Sequence, residues 1–188
     1  MINFIKRLLK ARPKQSANTI YKFGYDRDKS FKTNETALLD AHTHGVDNAA
    51  LTLAFLYLNA EADLGAEGVK WLRVAAQKKN ISSIAAHTHL ARCYLNGTEA
   101  EKDASMAFKH NEIFKILYVK FWPNGADDFK HKNSKFDLHK SIRKRAVIDL
   151  DEQQIIDLSK DAATYANSVV LTKSKTSFDK YVKQYFSP

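Results

Sequence analysis

Two copies of Ala-His-Thr-His, at 41–44 and 86–89, hold four of the seven histidines in the chain. Histidines in that number invite a metal site. A helix that grips zinc, however, presents its ligands at i and i+4, on one face, whereas residues two apart point to different faces. A capping or incidental role fits these four better. Glu99, Glu101, Asp127 and Asp128 could be paired as general acid and base. That chemistry needs environments that push two pKa values apart. All four acids lie in lysine-bearing loop sequence with no histidine or aromatic pocket beside them, which is the pattern of solvated loop charge. Cys93 is the only cysteine, so an intramolecular disulfide is excluded and a reducing, cytoplasmic setting fits. It reads as a small buried apolar side chain rather than a nucleophile. Neither a phosphate-cradling glycine loop nor a Ser/His/Asp arrangement is present. The expectation is a protein without catalytic residues, metal or cofactor, and without a small-molecule substrate.

The elements that would position any site announce themselves by repetition. Leu53-Ala54-Phe55-Leu56-Tyr57-Leu58-Asn59-Ala60 returns as Leu90-Ala91-Arg92-Cys93-Tyr94-Leu95-Asn96-Gly97, 37 residues later, with five positions identical. An offset of this size marks a stacked array of supersecondary units. The histidine tetrapeptides stand 45 residues apart, out of phase with it.

Residues 1–15 form a basic amphipathic helix or arm, with Lys6, Arg7, Lys10, Arg12 and Lys14 and no acid. Lys6 and Arg7 interrupt what would be the apolar run of a secretory signal, and no stretch has the length to span a bilayer. A single helical-repeat domain is expected over 16–172. Its first unit, 16–47, is degenerate; its second helix is capped by Thr33 or Asn34 and stopped by Gly45. Clear units follow at 48–83 and 84–121. Asn48 or Asp47 caps a helix through Leu58, and residues 61–65 turn the chain into a return helix from Gly68 to near Asn80. Ser82 or Ser83 caps the next helix, which Asn96-Gly97 breaks, and the last return helix runs from Asp103 to Phe121. Capping helices are expected over 134–172: one from Ser134 through Val147, the next started by Asp149 or Asp151. In the latter, Ile155, Leu158, Ala162, Tyr165, Ala166 and Val169 share a face. A short helix over 173–188 closes the chain.

The two clear units resemble Sel1-like repeats, relatives of the tetratricopeptide helix pair. The second matches that pattern through Leu90-Ala91, Tyr94, Gly97, Asp103 and Ala107; His110 replaces an aromatic, and Phe114-Lys115 replaces paired alanines. The first matches through Ala50, Leu53-Ala54, Tyr57, Trp71 and Ala75-Ala76, with Ala60 where the pattern has Gly. What the resemblance implies is an all-α fold: a short right-handed α-solenoid of antiparallel helix pairs with C-terminal capping helices. It also implies a docking surface for a protein on the concave wall, which the first helix of each unit would line with Phe55, Asn59, His89, Arg92 and Asn96.

The chain carries 30 basic and 21 acidic residues, a formal charge of +9. An acidic protein partner suits that charge, and nucleic acid or an anionic membrane surface is the alternative, through the basic N- and C-terminal segments. No nucleic-acid fold signature accompanies the basic residues. Within the protein-binding class, small basic proteins of this repeat type sometimes neutralise a bacterial toxin, and an acidic effector would explain the charge.

Overall fold

A computed structural model describes residues 30–60, 64–78, 80–122 and 137–170. Among these the fold is all-α, with no strand. The helices are α1 (Phe31–Thr43), α2 (Ala49–Leu58), α3 (Gly65–Ala76), α4 (Ile81–Asn96), α5 (Ala104–Phe121), α6 (Asp137–Ala146) and α7 (Glu152–Ser168); a 3-10 turn, Val147–Asp149, continues α6. None of the described helices is long and apolar enough to cross a membrane. The arm over 1–15, the first helix of the degenerate unit, the Ser134 cap and the closing helix over 173–188 lie outside the described residues. The chain divides into two compact units, with the boundary between Trp71 and Leu72, inside α3.

In the first unit α1 packs on α2. Leu38 meets Leu53, Leu56 and Tyr57, and Phe31, Leu39, Leu64 and Trp71 pack around them. The sequence predicts a cap at Thr33 or Asn34, but α1 starts earlier because Ser30 is an equally good cap. Its Oγ accepts from the Thr33 amide at 3.2 Å, leaving Asn34 buried inside the helix. Gly45 does end α1: its N–H donates to His42 and that of Val46 to Ala41, which satisfies carbonyls a helix end would leave bare. Gly45 and Gly97, which ends α4, both hold positive φ, 72° and 70°, where a Cβ is strained. Asn48 stands at the N-cap of α2, as read from the sequence, without a side-chain cap bond.

In the second unit α5 is the organising helix: α4, α6 and α7 all pack against it. Asp103 caps it, accepting from the Met106 amide at 2.9 Å. The expected cap of α4 at Ser82 or Ser83 gives way to Asn80. The Asn80 side chain takes the Ser82 amide at 3.0 Å, and both serines sink into the interior. α7 opens with a reciprocal capping box between Asp151 and Gln154. Its far end is held by Lys120, whose ammonium donates to the carbonyls of Ala166, Asn167 and Val169 at 3.1, 3.2 and 2.7 Å. A cation there satisfies three terminal acceptors and opposes the helix dipole. Lys120→Met should therefore lower stability by about 2 kcal/mol, with the loss of amide protection confined to the last turn of α7 in hydrogen exchange.

Candidate partner-binding surface

The repeated octets lie along α2 and α4, and five of their eight counterpart pairs share an environment, whereas Phe55 and Arg92, Leu58 and Leu95, and Ala60 and Gly97 differ in exposure. Leu53 and Leu90, Ala54 and Ala91, Leu56 and Cys93, and Tyr57 and Tyr94 are all buried, while Asn59 and Asn96 are both exposed. Each tyrosine buries its ring and ties its hydroxyl to a charged side chain one helix earlier. Tyr57 donates to the Glu35 carboxylate of α1, 22 residues upstream. Tyr94 accepts from the Arg73 guanidinium of α3, 21 residues upstream, at 2.9 Å. Burial, and then the Glu35 carboxylate, push the Tyr57 phenol up to about 12. Glu35 itself is held below the usual carboxylate range by Lys32 and then by Tyr57. The other repeat residues fill the interior as small side chains should: Ala75, Ala76 and Ala107 are buried, and Trp71 is half-buried with its ring edge-on to His42.

Of the residues expected to face a partner, Phe55 is half-buried and Asn59, exposed at the end of α2, donates from its amide to the Phe55 carbonyl at 2.8 Å. On α4, Arg92 and Asn96 are exposed one turn apart, and Asn96 accepts from Arg145 of α6 at 3.5 Å. His89 is different. Its ring nitrogen Nε2 is shielded from solvent, and burial, followed by the Arg92 charge, lowers its pKa to about 4. α4 is buried on nearly every side, so Arg92 and Asn96 are its two exposed positions. An isolated amphipathic reading of the helix misses this, because its polar residues Ser82, Ser83, His87 and Thr88 also point inward.

The histidine tetrapeptides do two separate jobs. His44 terminates α1, its Nδ1 bonded to the Asp40 carbonyl at 2.7 Å, which is the capping role. His87 meets His110 of α5, Nδ1 to Nδ1, at 2.8 Å. That bond needs one nitrogen with a proton and one without, so the accepting ring must be neutral. Burial, and then the neighbouring His110, hold His87 well below its ordinary pKa; burial, then Lys109 and Arg73 against Asp103, bring His110 to about 4. His110 also lies parallel to the Tyr94 ring, centroids 5.7 Å apart.

Among the described residues no three His, Cys, Asp or Glu side chains converge as a metal site would. Glu101 is exposed, Glu99 accepts from the Thr98 hydroxyl, and Asp127 and Asp128 lie outside the described residues. Cys93 is buried, and burial, with Glu99 adding to it, pushes its thiol up to about 12. Thiolate is the reactive form. Native protein should therefore react with a disulfide reagent at least about a hundredfold more slowly than the unfolded chain, and stopped-flow absorbance would read the ratio. No protein-family model matches the chain, and no curated protein or solved structure is significantly similar to it.

Proposed function

We propose that the chain is a non-enzymatic scaffold of the Sel1-like type, a short right-handed α-solenoid of antiparallel helix pairs closed by capping helices, and that it binds an acidic partner protein in the cytoplasm. The observation that carries this reading is the equivalence of the two octets. Buried Leu, Ala and Tyr recur at matched positions, and both tyrosine hydroxyls anchor to a charged group one helix back. A sequence repeat that is also an environmental repeat is what stacking of like units requires. The charge of +9 favours an acidic partner. Neutralisation of a bacterial toxin is one form such binding would take. The alternative, attachment to nucleic acid or an anionic membrane surface through the basic terminal segments, draws on the same charge.

Each unit offers its own contact residues: Phe55 and Asn59 on α2, Arg92 and Asn96 on α4. With the captured partner in hand, Phe55→Asp and Arg92→Glu should each weaken binding about tenfold or more in calorimetry. Arg92 is exposed, so its variant should keep the wild-type thermal transition. Full affinity in both folded variants would remove these helices from the interface.

A further inference from the structure

α6 commits its inward face to packing: His139, Ile142 and Ala146 are buried. Everything else on it faces water, and most of that is positive. Arg143 is neutralised by Glu112 of α5 at 3.0 Å, and Lys140 stands 3.9 Å from Asp137 on its own helix. Lys144 meets no acidic side chain among the described residues, and Arg145 reaches only the neutral amide of Asn96. Asn96 and Arg92 are i and i+4 neighbours on α4, so the α4 pair continues the strip that Arg145 begins. Two aliphatic side chains flank it. Leu138, seven residues before Arg145, is 40% exposed, and Ile148, just after the helix, is 76% exposed.

We propose that this strip, Lys144 and Arg145 of α6 with Arg92 and Asn96 of α4 between Leu138 and Ile148, is the docking surface for an acidic protein segment that carries aliphatic side chains. The inference rests on the protein-binding reading and gives it an address. Unpaired positive charge selects the acidic partner, and the exposed aliphatics select a protein. A phosphate backbone would leave Leu138 and Ile148 in water, and the strip offers no aromatic ring on which bases could stack. A lipid surface needs a continuous apolar face, and that of α6 is already spent against α4 and α5.

The test uses a fluorescein-labelled peptide of repeated Glu-Glu-Leu triplets and the full chain, read by anisotropy. A Glu-Glu-Ser peptide, oligo-thymidine and phosphatidylserine vesicles are run beside it. Lys144→Glu combined with Arg145→Glu should weaken the Glu-Glu-Leu peptide about tenfold or more, and Ile148→Asp about threefold. Lys160→Glu, an exposed charge on α7 outside the strip, should leave affinity within about twofold. Circular dichroism melts establish that each variant is folded. Equal weakening by Lys160→Glu, equal binding of the serine peptide, or tighter binding of oligo-thymidine or vesicles overturns the proposal. Undiminished peptide binding after the double reversal overturns it too, while leaving the protein-binding reading standing. That reading falls separately, if the wild-type chain retains no protein partner from its native extract.

Discussion

Acidification from neutrality to about pH 5 should unfold the second unit, through its buried histidines. His87, His89, His110 and His139 all have lowered pKa values in the folded state, the last three to about 4, and burial is the leading cause for each. His139 is further opposed by Lys115 and Arg143, His110 by Lys109 and Arg73, and His89 by Arg92. A depressed histidine pKa means that the unfolded chain takes up protons the folded one refuses. Stability is therefore complete above about pH 6.5 and falls as pH drops towards 4. His89, His110 and His139 each contribute a slope of about 1.4 kcal/mol per pH unit in that window, hence about 2 kcal/mol at pH 5. Those three together are already of the order of a whole domain's stability, which is about 5–15 kcal/mol, and His87 acts in the same direction. Glu35 in the first unit works in a lower window. Its carboxyl is depressed, so its contribution is present above its ordinary value of 4.5 and is lost only as pH falls further. Hydrogen exchange across pH 7 to 4 should show α4, α5 and α6 opening while α1 and α2 remain protected. Replacing His139 with Gln should move the transition about half a pH unit towards acid. A second unit that unfolds no earlier than the first would mean that the histidines accept protons in place.

The second large effect concerns the matched octets. Leu53 and Leu90 hold the same place in their copies and both are 0% exposed. Leu53→Ala and Leu90→Ala should each cost about 3–4 kcal/mol, from lost transfer energy and the cavity left behind. The losses should fall in different places. Leu53→Ala releases amide protection in α1 and α2, and Leu90→Ala releases it in α4 and α5. Similar costs at Leu53 and Leu90, but a cost below about 1 kcal/mol at Asn59→Ala and Asn96→Ala, would mark the octets as energetic equivalents. A cost at one leucine and none at the other would separate them.

The helices were legible because their apolar residues keep helical spacing, and Asp103, Gly45 and Gly97 punctuate them with side chains or backbone that nothing nearby can replace. Starts were less legible where several cap residues compete. Ser30, Thr33 and Asn34 all qualify before α1, as do Asn80, Ser82 and Ser83 before α4, and tertiary burial decides among them. The octet environment was legible because identity at Leu53, Ala54 and Tyr57 and their counterparts carries packing information. The surroundings of α4 were not. His87, His89, Ser82 and Ser83 look like a polar face in one dimension, yet α5, α6 and α7 enclose the second unit. The pairing of His87 with His110 spans 23 residues and has no local pattern. The basic strip on α6 was visible only as composition, since the exposure of Lys144, Arg145 and Ile148 depends on which face of α6 turns inward.

Affinity capture from the native extract, with and without nuclease and at low and moderate salt, read by mass spectrometry, tests the protein-binding claim most directly. One dominant acidic protein, retained after nuclease and at moderate salt and lost with Arg92→Glu, is the result this account predicts. A mixed haul that disappears with nuclease or salt would contradict it and make the basic surface a nucleic-acid or lipid contact.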